Sequence, residues 1–199
     1  MDTSELRPEL GDPEAFVLVL NDVFTNEECQ ALIQLSEEHK FLPALVDPTG
    51  TGNYVLVKGT RDTARVMVDD SVWATELFRR VKLHLPQELH RYKLSCVNER
   101  LRFLRYDVGQ RFRPHYDGSY VRPDGSEMSF LTIQLYLNGQ LEGGETILYG
   151  ESGPQYSLRP APGKVLVFAH DILHEGAPVL KGRKYIIRSD IMYKRPNSV

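Results

Sequence analysis

From Glu99 onward the chain is a succession of short apolar runs broken by turn chemistry, and that spacing leaves few architectures open. The runs are Leu101 to Tyr106, Phe130 to Leu137, Glu145 to Tyr149, Gln155 to Leu158, Lys164 to Ala169 and Lys184 to Tyr193. Asn138-Gly139, Gly143-Gly144 and Pro162-Gly163 stand between them, dipeptides suited to tight turns because glycine accepts backbone angles closed to other residues. Strands recurring at this interval predict a sandwich or a barrel.

Two of the runs alternate in an informative way. Leu131, Ile133, Leu135 and Leu137 fall on one face of a strand, and Thr132, Gln134 and Tyr136 on the other. The last run repeats this, with Lys184, Arg188 and Asp190 opposite Tyr185, Ile187, Ile191 and Tyr193. A sheet with one face in water would turn the polar side outward. A ligand-holding cavity would turn it inward and pack the apolar faces on helices.

The first half supplies those helices. Ala15 to Leu20 reads as a short buried strand, and Thr25 to Lys40 as a helix opened by the capping box Thr25-Asn26-Glu27-Glu28. Cys29, Leu32, Ile33 and Leu35 give it an apolar face. A second helix is predicted from Val72 to His84, with Ser71 as N-cap, Val72, Trp73, Leu77, Phe78 and Val81 inward, and Pro86 ending it. No repeat, low-complexity tract or linker divides the chain. The expectation is one domain over residues 1–199, with helical support at about 15–95 and a β core at about 96–195.

Composition excludes several partners. The net charge is −3 and the pI about 6.1, so the chain lacks the strongly basic footprint of a nucleic-acid-binding domain. Two cysteines, Cys29 and Cys96, form no paired metal motif and read as buried or free thiols. No stretch approaches a membrane span, and Met1 to Glu14 lacks the basic and apolar regions of a secretion signal. A soluble protein of a reducing compartment is expected, in the cytoplasm or else the nucleus.

The chemistry centres on Arg113-Pro114-His115-Tyr116-Asp117. On a strand, positions i and i+2 point the same way, so His115 and Asp117 would share a face. A third ligand, His174 in Leu173-His174-Glu175-Gly176, would close one face of an octahedron and leave the other positions open. That is the arrangement of non-haem Fe(II) oxygenases, whereas zinc usually takes a more closed tetrahedral set. His-x-Asp also arises by chance in a chain with six histidines, so the pair draws its weight from its surroundings.

An Fe(II) oxygenase needs two further electrons to activate dioxygen, and 2-oxoglutarate can supply them by oxidative decarboxylation. Its distal carboxylate then needs a buried cation. Lys184, ten residues after His174 and on the polar face of the last strand with Arg188, is the candidate.

These residues resemble the prolyl 4-hydroxylase-like branch of the Fe(II)/2-oxoglutarate-dependent dioxygenases. The match runs from Leu101 to Gln110 through Pro114-His115-Tyr116-Asp117, Leu135-Tyr136-Leu137-Asn138 and Gly143-Gly144-Glu145-Thr146. It continues through Gly163 to Phe168, His174 to Val179, Gly182-Arg183-Lys184-Tyr185 and Arg188 to Tyr193. The resemblance implies a mainly β, α+β chain built on a double-stranded β-helix, the jelly-roll of the cupins, with N-terminal helices in support. It implies Fe(II) on His115, Asp117 and His174, O2 as oxidant, and Lys184 on the C5 carboxylate of 2-oxoglutarate. Tyr136 would bond that carboxylate and Tyr106 would reach the cosubstrate, while Arg188 would replace Lys184 or contact substrate. Ascorbate is the implied reductant. Related halogenases carry a small residue where Asp117 stands, so the aspartate favours oxygenation.

The substrate is less constrained. The resemblance points to a prolyl residue of a protein or peptide. Arg100, Arg102, Arg105, Arg111, Arg113 and Arg122, joined by Lys58, Arg61 and Arg65, form either a solvated basic surface or a site for an acidic peptide or a carboxylated small molecule. Residues 121–127 have turn chemistry and follow the iron motif, as a substrate-facing loop would. A metal-binding jelly-roll without 2-oxoglutarate chemistry and a catalytically silent binding module are the competing classes.

Overall fold

The strand Glu127–Tyr136 is central to the fold, and its alternation decides which way its neighbours face. In the computed structural model, which describes residues 5–6, 15–45, 55 and 59–195, it pairs antiparallel with Lys184–Lys194 on one side and Val165–Ala169 on the other. Val17–Leu20 extends the sheet beyond Val165–Ala169, and Arg100–Tyr106 followed by Ala64–Asp69 extends it beyond Lys184–Lys194. Tyr92–Val97 pairs with the far end of the last strand, within a sheet of ten strands. A second sheet runs in the order Gly153–Leu158, Thr146–Gly150, His174–Gly176, Phe112–His115. Lys58, and the stretch before Ala15 apart from Glu5–Leu6, lie outside the described residues.

The alternation is resolved in favour of the cavity. Leu131, Ile133 and Leu135, with Tyr185, Ile187, Ile191 and Tyr193, pack against Leu32 of the first helix and Leu77 and Val81 of the second. Each such aliphatic side chain, fully buried, contributes about 1.5–3 kcal/mol relative to exposure. The opposite face sends Leu104, Tyr106, Tyr136 and Ile186 toward Leu148, Leu158 and Val179 of the smaller sheet and its connections. Two facing antiparallel sheets with helices behind the larger one make the double-stranded β-helix that was expected.

The helices differ in detail from the sequence reading. The first is Asn26–Glu37, and Thr25 closes the capping box with Glu28 in both directions. Glu28 also takes a two-pronged ion pair from Arg80 of the second helix, at 2.6 and 2.7 Å, which ties the helices together. That second helix is Ser71–Val81, continued by a short 3-10 turn, and its N-cap is Asp70 rather than Ser71. The Asp70 carboxylate accepts from both Val72 N and Trp73 N, which fixes the helix start at Ser71. Val72, expected inside, is 75% exposed, because the inward stripe is Ala74, Leu77 and Val81. Two strands, Ala64–Asp69 and Tyr92–Val97, were not anticipated. No helix among the described residues is long and apolar enough to cross a membrane.

Gly163 locks the N-terminal segment onto the sheet. Its carbonyl accepts from Val23 N at 2.9 Å, and its N–H donates to the Tyr136 carbonyl at 3.0 Å. Its φ is +75°, and a Cβ there would overlap the Phe24 carbonyl oxygen. Gly163→Ala is therefore expected to cost about 2–4 kcal/mol, from the left-handed backbone and the backbone collision together. Urea unfolding should show it as a lowered midpoint at unchanged slope.

Candidate active site

Phe112–His115 and His174–Gly176 are adjacent antiparallel strands in which His115 and His174 are direct partners, so the register alone sets the two imidazoles side by side. Their ring centroids are 4.2 Å apart. The strand ends at His115, and Asp117 lies just beyond it, where its N–H donates to the His170 carbonyl at 3.2 Å. Although the two residues are not on one continuous strand as the sequence suggested, one ligand atom from each of His115, Asp117 and His174 falls within 4.8 Å of the others.

The hydrogen bonds around the cluster select its donor atoms. His115 Nδ1 lies 2.8 Å from the Arg113 carbonyl and His174 Nδ1 lies 3.0 Å from the Ile172 carbonyl, so each ring donates from Nδ1 and presents the Nε2 lone pair. His174 Nε2 is 3.6 Å from Asp117 Oδ2, and His115 Nε2 is 4.0 Å from Oδ1. Burial, reinforced by the neighbouring His174, pushes the His115 pKa down to about 3 against the pull of Asp117. Burial lowers His174 as well. For Asp117 burial works in the opposite direction, but Arg188 and the two histidines outweigh it and hold the carboxyl well below its ordinary range. Two neutral imidazoles and an ionised carboxylate are the protonation states a divalent metal requires. An N2O set that occupies one side of the ion suits Fe(II) with open positions.

Asp117 is held from behind. Thr132 Oγ1 donates to its Oδ2 at 2.5 Å, and Arg188 reaches its Oδ1 at 3.1 Å. Arg188 also lies 3.2 Å from Asp190, which is fully buried and receives Arg102 at 2.9 Å. Thr132, Arg188 and Asp190 come from the polar faces of the two central strands. The sequence pointed to those faces but not to the network they build, because pairing across strands sets it.

A cavity of about 630 Å³ opens over the cluster, lined by residues that include Tyr106, His115, Asp117, His174, Lys184 and Arg188. Lys184 is 1% exposed; its ammonium donates to the Gly144 carbonyl at 2.7 Å and lies 5.0 Å from the centre of the Tyr106 ring. Burial lowers its pKa to about 7. Arg188, by contrast, is engaged by Asp117 and Asp190. Tyr136 is fully buried and donates to Thr146 Oγ1 at 2.6 Å; Thr146, rather than Tyr136, lines the cavity. The wall beyond Asp117 is formed by residues 116–120. Residues 121–127 are instead tied back by Arg122, which pairs with Glu99 and Glu127.

Some members of the arginine cluster lie outside the cavity and others line it. Arg100 pairs with Asp69 at 2.9 Å and Arg105 with Glu37 at 3.1 Å, outside the cavity. Arg61, Arg65 and Arg102 line it.

A jelly-roll with a two-histidine, one-carboxylate cluster lining a cavity is the arrangement used by mononuclear non-haem iron oxygenases. Residues 101–189 match the family model of the 2OG-Fe(II) oxygenase superfamily. The superfamily matched over this segment uses Fe(II), 2-oxoglutarate and O2 as its reagents. It is 29% identical to "Probable prolyl 4-hydroxylase 8" of Arabidopsis thaliana over 87% of this chain and 67% of that one. Among solved structures, a Pseudomonas putida prolyl-4-hydroxylase shares the fold with a TM-score of 0.65 at 17% identity, covering 91% of this chain and 93% of that one. A Trichoplax adhaerens prolyl hydroxylase in complex with a hypoxia inducible factor peptide fragment also gives 0.65 at 17% identity, over 89% and 82%.

Proposed function

We propose that this oxygenase hydroxylates a prolyl residue of a protein or peptide, with His115, Asp117 and His174 holding iron and Lys184 binding the C5 carboxylate of 2-oxoglutarate. The observation that carries the reading is a fully buried lysine with a carbonyl as its hydrogen-bond acceptor, lining the same cavity as the His–Asp–His cluster. A buried ammonium is costly unless an anion joins it, and a dicarboxylate chelated at the metal would bring one. The prolyl assignment is supported by relatives whose names specify prolyl 4-hydroxylases.

Fe(II) and 2-oxoglutarate, when bound, would supply the electrons that activate dioxygen, the keto acid being oxidised to succinate and CO2, with ascorbate as external reductant. The chain's own residues then have distinct tasks. Thr132 and Arg188 fix the Asp117 carboxylate in orientation, and the two backbone carbonyls fix the imidazoles. Lys184 and Thr146, the latter set by Tyr136, anchor the far end of the cosubstrate, with Tyr106 beneath the ammonium. Leu104 and Ile186 keep that end of the cavity apolar. Tyr116, 63% exposed on the lining segment, offers a ring face to the pyrrolidine.

The direct test is turnover with proline-containing peptides: succinate should form in step with a peptide that gains one oxygen atom on proline. Succinate released with none of these peptides stimulating it would contradict the assignment.

The charge on Lys184 also fixes a pH dependence. With its free pKa near 7, the side chain is largely neutral above that value, and binding a carboxylate must draw in a proton. Affinity for 2-oxoglutarate is therefore expected to be flat below about pH 7 and to weaken above it, approaching about tenfold per pH unit. Calorimetry on anaerobic Fe(II) protein in buffers of different ionisation enthalpy should count close to one proton taken up at pH 8. Lys184→Arg should flatten the profile.

A further inference from the structure

The stack that begins at His115 continues to a cation that has no ion-pair partner among the described residues. Phe112 lies face to face with the His115 imidazole, 3.5 Å between centroids and 20° between planes. The Arg61 guanidinium sits over the same ring, 4.5 Å from its centre. A backbone bridge between Arg61 and Phe112 holds the two residues together. The Arg61 Nε donates to Thr63 Oγ1 at 3.3 Å, and the residue lines the cavity.

Among the described residues no carboxylate lies at ion-pairing distance from Arg61, unlike Arg100, Arg102, Arg105, Arg122 and Arg188. Burial has already taken away much of its water, lowering its pKa to about 10. Among the described residues the cavity lining has two acidic side chains, neither at ion-pairing distance from Arg61: Asp117 pairs with Arg188, and Glu175 accepts from the Tyr149 hydroxyl. The reagents do not supply the missing charge, since a dication and the 2-oxoglutarate dianion offset one another. What remains to meet a planar, preorganised guanidinium beside a metal-site histidine is a carboxylate on the substrate.

We propose that Arg61 forms a carboxylate subsite, so that the preferred peptides carry an aspartate, a glutamate or a free C-terminus next to the proline that is oxidised. This inference rests on the prolyl hydroxylase reading above and adds the charge of the substrate to it. Because Arg61 contacts Phe112 rather than a residue of the cluster, it selects and positions without touching the reacting atoms.

The test compares wild type, Arg61→Gln and Arg61→Lys on matched peptides. These would have Asp against Asn and Glu against Gln on either side of the proline, and a C-terminal acid against the amide. Binding is read separately by calorimetry on protein loaded with Mn(II) and 2-oxoglutarate, where no turnover occurs. Wild type should favour acidic peptides by about 30-fold or more in KM with little change in kcat, the scale of truncating a desolvated charged contact. Arg61→Gln should reduce the preference to within about twofold, and Arg61→Lys should restore part of it, as expected for a charge rather than a packing role. The side-chain and C-terminal pairs show which carboxylate is read. Equal use of acidic and neutral peptides by wild type, or a preference that survives Arg61→Gln, would overturn the subsite. So would a loss confined to 2-oxoglutarate affinity, which would give Arg61 to the cosubstrate. Failure of the underlying reading looks different: no peptide of either charge would be oxidised, and the subsite would fall with it.

Discussion

Asp117→Ala is expected to abolish hydroxylation and to weaken Fe(II) binding by well over about 100-fold, because even outer-shell partners of metal ligands are worth about 10–100-fold. The side chain supplies the only anionic donor of the proposed set, and the buried groups around it are arranged to keep it ionised. Without it, two neutral imidazoles face a dication with Arg188 at their back. Folding should suffer less. Arg188 retains Asp190 at 3.2 Å, so the metal-free variant should lose no more than about 3 kcal/mol, the lower end for breaking a buried ion pair. Measuring metal affinity and metal-free stability on the same variant separates the two effects. Asp117→Asn, which keeps the volume, should show the same loss of metal.

The second large effect distinguishes the two cations of the last strand. Lys184→Ala should weaken 2-oxoglutarate binding by about 2–5 kcal/mol, roughly 30-fold or more, since it removes the charged partner of a carboxylate in a desolvated pocket. Metal affinity should be unchanged. Arg188→Ala should give the reverse pattern, with 2-oxoglutarate affinity of the metal-loaded protein nearly preserved and Fe(II) affinity down by about 10–100-fold, because its contact is with Asp117. Titrating both reagents against both variants fills a two-by-two comparison. If Arg188→Ala alone lost 2-oxoglutarate, the C5 anchor would be Arg188.

Much of this site is legible in the sequence because strand periodicity carries it. The polar faces of Thr132, Gln134, Tyr136 and of Lys184, Arg188, Asp190 follow from alternation alone, as does the packing of their apolar counterparts on two helices. What escaped was set by tertiary pairing. Phe112–His115 and His174–Gly176 are too short for any period to emerge, yet their register places the two histidines together. Asp70 displaces Ser71 as a cap because both are good caps and local sequence does not choose between them. The Arg61–Phe112–His115 stack joins residues from separate parts of the chain through ring faces, a contact with no sequence period. Tyr136 was expected at the cosubstrate, but its hydroxyl is directed to Thr146, a partner brought in by the opposite sheet.

The central claim is that one cavity holds Fe(II) on His115, Asp117 and His174 and 2-oxoglutarate across the metal and Lys184. Anaerobic titration of the metal-free protein with Fe(II) and then 2-oxoglutarate tests it most directly. A weak visible charge-transfer band should grow to saturation at one equivalent of each, and it should be absent in Asp117→Ala and shifted to much higher 2-oxoglutarate concentration in Lys184→Ala. Correctly folded wild-type protein that binds Fe(II) but develops no such band, or a band that survives intact in Asp117→Ala, would contradict the account.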